Sequence, residues 1–364
     1  MQNLSKWAAG PMVLLLCAFG PPAKSPQTDI DQAARLLRQA RDTQNPEDFR
    51  QAGAAAAKAL AIDSENFEAQ RYQAMAMLGR QDLTGALALT SKLNRRSSDD
   101  IGIWSMLSAI HAAAGDYTEA ERCAQWVLDL RRDSPLGFTT AARLREVHGD
   151  YDGASEFYSE ALRRTPQSDA EERSWLMVQS ARMLLRTKNR DAAAATLQQA
   201  AKLMPNSVQV LEQEAELARM NGEFGQAAAL LGNALRASPT AEHLYSYAQA
   251  LDRAGRQDEA RAVYQKLGAE PSAVGSVLIL YYADQEKNPE KALVLAMKQI
   301  SVRQDTATLD AYAWALYRAG RLTEARTQMD KLLALGTRDP GYVCHAALIT
   351  GAAQTREGTC ESIQ

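Results

Sequence analysis

The sequence has little glycine, little proline and no excess of either charge. Its 364 residues contain 21 Gly and 12 Pro, and 41 Lys and Arg stand against 44 Asp and Glu. The low Gly and Pro content, together with 46% hydrophobic residues, excludes a collagen-like chain and wholesale disorder. A net charge of −3 gives no overall drive toward nucleic acid or anionic lipid.

Motifs for catalysis and metal binding are also lacking. Only four histidines occur, and the sequence contains no His-Glu-x-x-His, no Gly-rich phosphate loop and no Gly-x-Ser-x-Gly. We expect His111 to pack on an apolar helix face, and His148 precedes a turn glycine, where a helix C-terminus favours histidine. Cys344-His345 has no second pair of ligands, and Glu171-Glu172 is expected to face water. The sequence therefore predicts no enzyme activity, no metal and no cofactor.

The amino terminus has the pattern of a targeting segment. A weakly basic start is followed by the apolar stretch Trp7 to Phe19 and by a small-residue, proline-rich exit. This pattern is typical of a secretory signal peptide, and the stretch is shorter than the ~20 residues that span a bilayer. We predict a signal peptide at 1–23 and a linker at 24–32, with no transmembrane helix in the mature chain. A lipidated Cys17 and a cytosolic leader remain open as alternatives.

Two cysteines lie close to the carboxy terminus. Cys344 and Cys360 would close a loop that stabilises the fold by ~3 kcal/mol if the compartment is oxidising. The alternative is two unrelated thiols, because pairing depends on export. Cys123 lies on the buried half of a helix and is expected to be core packing. Export would place the protein in the periplasm or envelope, and the alternative location is the cytoplasm.

A short pattern repeats along the chain from Asp29 onward. Gly-Asp-Tyr-x-x-Ala occurs at 115–120 and 149–154, and similar strings begin at Gly222, Gly255 and Gly320. Weaker copies begin at Glu47, Gln81, Lys188 and Lys287. The nine copies follow one another at intervals close to 34 residues, and such a sustained period indicates a repeat array.

Each repeat contains two apolar-periodic stretches joined at this turn, and Ala- and Leu-rich composition favours helix in both. In the third repeat Trp104 and Ile110 fall on one helix face. Gly115 ends the first helix, because a glycine adopts positive φ at little cost. Ser108 and Ala120 are small where the two helices must approach closely. One such hairpin cannot bury its own apolar face, so neighbouring hairpins must stack on it.

These positions resemble the tetratricopeptide repeat family, a 34-residue helix–turn–helix unit. Residues 101–134 carry its pattern as Trp104, Leu107-Ser108, His111, Gly115, Tyr117, Ala120 and Val127. The resemblance implies an all-α, right-handed superhelical solenoid with seven or eight units per turn, whose first helices line the concave surface. The nine predicted units are 33–66, 67–100, 101–134, 135–173, 174–207, 208–240, 241–272, 273–305 and 306–338. A capping helix at 339–354 and a tail at 355–364 would follow.

The resemblance further implies a non-catalytic scaffold that binds a protein or peptide, and not nucleic acid, in the concave groove. The positions that face the groove in this family hold Arg41, Arg71, Arg143, Arg182, Arg186, Tyr245, Tyr281, Trp314 and Tyr317. Such a groove would be cationic in its amino-terminal half and aromatic toward its carboxy end. Arginine forks bind carboxylates and aromatic rings supply rigid anchors, so an acidic segment followed by an apolar one would fit.

Several alternatives stay open at this point. The groove residues could simply solvate or stack within the array, because arginine and tyrosine are common on exposed helix faces. The protein could be a structural spacer that self-associates, or a non-catalytic subunit of an enzyme complex. If it is exported, the resemblance suggests help in assembling an envelope or secretion apparatus, which is an analogy of fold.

Overall fold

The computed structural model describes residues 25–269 and 275–351, and this part of the chain is all-α. The α-helices are α1 Gln27–Thr43, α2 Pro46–Ile62, α3 Phe67–Gly79, α4 Leu83–Arg96, α5 Ile101–Ala113, α6 Tyr117–Leu130, α7 Pro135–Val147, α8 Tyr151–Arg164, α9 Ala170–Arg186, α10 Arg190–Leu203, α11 Val208–Met220, α12 Phe224–Ala237, α13 Ala241–Arg253, α14 Gln257–Ala269, α15 Ser276–Leu280, α16 Pro289–Ile300, α17 Thr306–Arg318, α18 Leu322–Ala334 and α19 Pro340–Thr350. A π-helical turn, Tyr281–Gln285, continues α15. Across these residues no helix is both long enough and apolar enough to cross a membrane.

The helices alternate as first and second members of antiparallel pairs, with α19 as the last first helix. Gly115 and Gly149 take positive φ at the turn between the two members. The aspartate that follows each glycine then caps the next helix; the Asp116 carboxylate, for example, accepts from the Glu119 backbone N–H. The weaker copies make the same turn without glycine, because Gln81 and Lys188 adopt positive φ. The sequence motif is therefore a helix stop followed directly by a helix start.

Close approach within each pair depends on small residues, as the third repeat shows. Ala120 is fully buried, and Ser108 is 2% exposed. The Ser108 hydroxyl donates to the Ala120 carbonyl at 2.8 Å, which satisfies a buried donor at the point of closest packing. The expectation for these two positions is confirmed.

The first unit departs from its predicted boundaries. Helix α1 begins at Gln27, inside the predicted linker 24–32, because the buried stripe of Ile30, Ala33 and Leu37 already starts there. The predicted turn at Glu47 lies inside α2, and the residue with positive φ is Gln44. The predicted signal peptide 1–23, the tail 355–364 and the last residues of the predicted cap 339–354 lie outside the described residues.

Successive first helices contact one another along the array, for example α5 with α7 and α9 with α11. Because they pack side by side, they form the inner, concave surface of the superhelix, and the second helices form the outer surface. The inner surface is therefore assembled from one helix of every unit.

The superhelix also closes on itself through contacts between distant units. In unit 1 the Ser238 hydroxyl donates to the Thr43 carbonyl at 2.7 Å. In unit 3 the Gln304 N–H donates to the Ala113 carbonyl at 3.2 Å. We call this set of contacts the seam: it joins residues 41–44, 81, 113–117 and 148–151 to residues 171–172, 207–209, 238, 299–306 and 335–339.

The contacts of the seam indicate fewer units per superhelical turn than expected. Its contacts join units that lie four to six places apart, as between Gln81 and Gln299 or between His148 and Arg338. The family resemblance implied seven or eight units per turn. Units five places apart are therefore close enough for direct backbone contact, the His148 carbonyl accepting from the Arg338 N–H at 2.9 Å.

Candidate functional site

The predicted groove arginines of units 1 and 4 meet at one tryptophan on α9. The guanidinium carbons of Arg41 and Arg143 lie 5.2 Å and 5.4 Å from the centroid of the Trp175 ring. Such cation–π contacts stabilise by about 0.5–1 kcal/mol at exposed sites. Trp175 was not among the predicted groove residues, although it lies on a first helix, as Trp314 does. The structure thus brings two predicted arginines together around an aromatic residue that sequence reasoning missed.

The sequence suggested that Glu171 and Glu172 simply face water, but in the structure both form ion pairs with arginines of α1. Arg41 lies 2.5 Å from the Glu172 carboxylate and 3.5 Å from that of Glu171. Arg38 lies 3.7 Å from Glu171. The fourth predicted unit, 135–173, is five residues longer than the 34-residue repeat. The extra residues lengthen α9 at its start, which carries both glutamates across the superhelix to α1. These ion pairs belong to the seam.

Arg182 lies on the concave surface but already has a partner. Its guanidinium is 2.6 Å from the Glu146 carboxylate on α7 and donates to the Gln179 side-chain oxygen at 2.7 Å. Glu146 also accepts from the hydroxyl of Tyr158, and burial raises the pKa of that tyrosine further above its ordinary value. This network links adjacent first helices, and its charges are neutralised internally.

The two remaining predicted arginines are placed apart from Trp175. Arg71 pairs with Glu68 on its own helix at 3.5 Å and lies 5.4 Å from the ring centroid of Tyr72. Arg186 lies 3.9 Å from Asp339 and 5.8 Å from the Tyr151 ring, at the seam. The predicted groove arginines are therefore spread over several first helices, and Arg41 and Arg143 converge where α1, α7 and α9 meet.

The predicted aromatic half of the groove is largely a core. Tyr281 is 2% exposed and Trp314 is 3% exposed, so neither lines an open surface. The Trp314 ring stacks on His345 with centroids 4.2 Å apart and on Tyr317 at 5.2 Å. Tyr245 packs edge-on against Tyr264 at 6.2 Å. These aromatic residues were predicted to bind a partner, whereas they pack between α13, the α15 region, α17 and α19.

Buried polar groups explain two histidines that the sequence left without a role. His345 Nδ1 is 2.9 Å from both carboxylate oxygens of Asp310. Burial raises the pKa of Asp310 even though the hydrogen bond from His345 opposes this. His243 bonds Glu212 at 2.8 Å, and among residues 25–269 and 275–351 no group of three or more metal-ligating side chains occurs. Both pairs join neighbouring first helices.

The two described cysteines, Cys123 and Cys344, differ in oxidation state. Cys123 is buried and free, and its burial raises the pKa of the thiol. Cys344 on α19 is disulfide-bonded. Its predicted partner Cys360 lies outside the described residues, so the pairing stays a prediction.

A cavity of about 290 Å³ opens between α1, α9 and α11, directly beside the seam. Arginines of α1 line one side of it, and Trp175, Val178 and Met204 supply apolar surface on another. Its edge is fixed by Asp42, whose carboxylate accepts from the Ser207 hydroxyl at 2.5 Å and from the Val208 N–H at 3.2 Å. The cavity exists because units 1, 5 and 6 meet, and no single repeat predicts it.

The comparisons with known proteins agree with this architecture. Models of the tetratricopeptide repeat match residues 106–169, 212–274 and 307–331. No curated protein matches the chain.

Two solved structures have a similar fold at low sequence identity. A chain of the APC/C hetero-tetramer Cut9–Hcn1 is 15% identical with a TM-score of 0.52; the match covers 83% of this chain and 52% of that one. This chain therefore spans about half the length of that relative. The human IFIT1 dimer with PPP-AAAA is 15% identical with a TM-score of 0.53, and the match covers 85% of this chain and 86% of that one. Repeat matches, helical pairing and fold agree: the chain is a multi-repeat tetratricopeptide repeat protein.

Proposed function

We propose that this protein is a non-catalytic scaffold that holds a protein or peptide partner against its concave surface. The family supports an interaction role in general, since stacked repeats offer an extended concave surface. The observation that carries the finer proposal is the convergence of Arg41 and Arg143 on Trp175 beside an open cavity. Tryptophan and arginine are the residue types that most often dominate binding energy at protein interfaces.

The amino-terminal half of the concave surface is the part that supports partner binding. Tyr281 and Trp314 are buried in the core and are therefore removed from the proposed contact surface, whereas Tyr245 and Tyr317 are half-buried. Arg41, Arg71 and Arg143 remain at least partly exposed. The partner of this proposal is therefore held mainly by units 1 to 5.

Site-specific photo-crosslinking in the cells that express the protein tests this proposal. Arg71 on first helix α3 and Arg164 on second helix α8 have side chains of matched exposure, 32% and 31%. Either one is replaced by p-benzoylphenylalanine. We expect a discrete protein adduct from position 71 and none from position 164. Equal adducts from both positions, or RNA adducts from position 71, would contradict the proposal.

A self-associating spacer is the second candidate, and exposed apolar side chains favour it. Val343 on the last helix is 48% exposed, and Val294 and Met297 on α16 are 67% and 50% exposed. Apolar residues on a terminal helix are a ready contact for a second copy. Analytical ultracentrifugation separates the candidates: a monomer at tens of micromolar removes the spacer, and a dimer lost in Val343→Glu supports it.

Export and a role in envelope or secretion-complex assembly form a further part of the proposal. The support is the amino-terminal sequence pattern at 1–23, which lies outside the described residues. Intact-mass spectrometry of protein from its native cells tests it, because export requires loss of residues up to about Pro21 to Lys24. An unprocessed Met1 would place the protein in the cytoplasm and remove the envelope role.

A further inference from the structure

The cavity between α1, α9 and α11 has a wall of three arginines on one helix. Arg35, Arg38 and Arg41 follow one another at three-residue spacing and all line it. Arg35 forms no ion pair with any residue of the described ranges, and its side chain is exposed. Arg41 is committed to Glu172 at 2.5 Å. Arg35 and Arg38 are therefore the cations available to a bound anion.

A carboxylate of the chain itself already occupies part of this wall. Glu171 lies 3.7 Å from Arg38 and 3.5 Å from Arg41, both longer than a charge-assisted hydrogen bond of about 2.7–2.9 Å. Glu171 is also well exposed, so solvent screens the pair. A second carboxylate that reached Arg38 with better geometry would displace Glu171 at little cost, while Glu172 keeps Arg41 in place.

The surface opposite the arginines is apolar. Trp175 and Val178 line it from α9, and the partly exposed Met204 lines it from the end of α10. Methionine adapts to side chains of different shape, and the indole offers broad apolar contact. A volume of about 290 Å³ lies at the small end of the range for ligand sites and suits one or two side chains.

We propose that this cavity recognises a Glu or Asp side chain next to a Leu- or Met-like side chain on an acidic segment of the partner. This inference rests on the scaffold function proposed above and gives the partner its chemistry. The carboxylate binds Arg35 and Arg38, and the apolar neighbour packs on Trp175 and Met204. Arginine forks fit carboxylates in a bidentate manner, which makes the pairing specific as well as favourable.

A peptide fits this cavity better than a nucleic acid does. The guanidinium groups of Arg41 and Arg143 already lie over the Trp175 ring, so a base would have to displace them to stack face to face there. A Leu- or Met-like side chain needs only the part of the indole that lines the cavity. Asp42 and Glu171 also line the cavity and would repel a phosphate chain. A single carboxylate meets this repulsion once, whereas a phosphate chain meets it at every phosphate near the cavity.

Binding at this place would also bridge the seam. The arginines belong to α1 of the first unit, and the apolar side belongs to the fifth unit, more than 130 residues later. A ligand that contacts both sides stabilises the closed superhelix, because it binds the closed arrangement and not an open one.

Fluorescence anisotropy with a labelled peptide, acetyl-Gly-Leu-Glu-Leu-Glu-Gly-amide, tests the assignment. We expect saturable binding to the full chain that Arg38→Ala weakens about tenfold, the loss expected for a charged hydrogen-bonded contact. Glu171→Gln should tighten binding about threefold, because the internal competitor loses its charge. Arg261→Ala, an exposed arginine of α14, is the matched control and should change nothing.

Three results would overturn the inference. The first is absence of binding, or equal binding of the peptide with Gln for Glu. The second is unchanged affinity in Arg38→Ala, and the third is Arg38-dependent binding of a labelled oligoadenylate in place of the peptide. Circular dichroism checks that each variant is folded, and Arg38→Lys, which retains the charge without the fork, should recover only part of the affinity. If position 71 still yields a protein adduct while these peptide tests fail, the scaffold proposal stands and the carboxylate site alone is wrong.

Discussion

The glycine turns of units 3 and 4 differ from those of units 6 and 7 in surroundings and not in shape. All four have nearly the same φ, +81° and +70° at Gly115 and Gly149 against +79° and +76° at Gly222 and Gly255. A Cβ added to Gly149 would lie 2.7 Å from the backbone of Arg338, whereas one added to Gly222 would have no atom within 4 Å. One local motif therefore serves two purposes: it turns the chain everywhere, and at the seam it also admits another backbone.

The residue two places after these glycines follows the same division. Tyr117 accepts through its hydroxyl from the Thr306 N–H at 3.0 Å, and Tyr151 donates to the Asp339 carboxylate. Units 6, 7 and 9 have Phe224, Gln257 and Leu322 at this position, and none of the three has a hydroxyl. Position in the superhelix, and not the repeat pattern alone, decides which turns carry polar seam contacts.

The largest difference is expected between Gly149→Ala and Gly222→Ala. Both force alanine into positive φ, which costs about 1–2 kcal/mol. Gly149→Ala adds a backbone clash costing about 1–3 kcal/mol, or opens the seam to avoid it. Chemical denaturation should show the larger loss for Gly149→Ala, and small-angle scattering should show a larger radius of gyration for it alone. Equal losses of unfolding free energy and equal radii of gyration in the two variants would mean that the seam does not stabilise the fold.

Removal of a seam hydroxyl should have the next largest effect. In Tyr117→Phe the buried Thr306 N–H loses its acceptor, so we expect a loss of about 1–3 kcal/mol in the free energy of unfolding. The matched change, Phe224→Tyr, adds a hydroxyl at a turn outside the seam and should be nearly neutral. Differential scanning calorimetry of both variants is the measurement; a neutral Tyr117→Phe would contradict the hydrogen bond.

A pH effect should separate contacts between neighbouring units from those of the seam. Burial lowers the pKa of His243, but the hydrogen bond and charge of Glu212 outweigh burial and raise it above its ordinary value. The stabilisation by protonated His243 is complete below the unfolded-state pKa of about 6.5 and is lost as pH rises through the higher folded-state pKa. Melting temperature should fall over that window in the wild type, less so in His243→Gln. Gly149→Ala should retain the fall, since His243 joins α13 to α11 within the stack.

The smallest effect is expected from the exposed seam charge. Arg41 and Glu172 are each about one-third exposed, so Arg41→Ala should cost no more than about 1 kcal/mol, and less at high salt. Arg50→Ala removes an ion pair within one helix and should cost still less. A double-mutant cycle of Arg41 and Glu172 at two salt concentrations measures the coupling. A coupling that does not weaken with salt would contradict a screened surface pair.

The parts of the structure that depend on one repeat could be predicted from the sequence. The turn at Gly115 and the close contact of Ser108 with Ala120 follow from residues within a single unit, and the 34-residue period follows from repetition of that unit. The seam depends on small rotations summed over several units, and no repeat encodes that sum by itself. For this reason the roles of Glu171, Glu172 and Tyr151 were not predicted.

The misplaced aromatic residues have a different cause. Tyr281 is the first residue of the π-helical turn, where regular α-helical geometry ends, and it packs in the same core cluster as Trp314. Trp314 is covered by α19, because His345 on that helix stacks on its ring. Assignment by position along an ideal first helix fails where helix geometry changes or where the array ends.

Hydrogen exchange at the seam amides tests closure of the superhelix most directly. The N–H groups of Gln304, Thr306 and Arg338 donate to Ala113, Tyr117 and His148, each more than 180 residues away in sequence. Closure predicts slow exchange at these three amides in the wild type and faster exchange in Gly149→Ala, with the interior amides of α5 unchanged. Exchange at the rate of an unstructured peptide in the wild type would contradict closure and, with it, the cavity that closure forms.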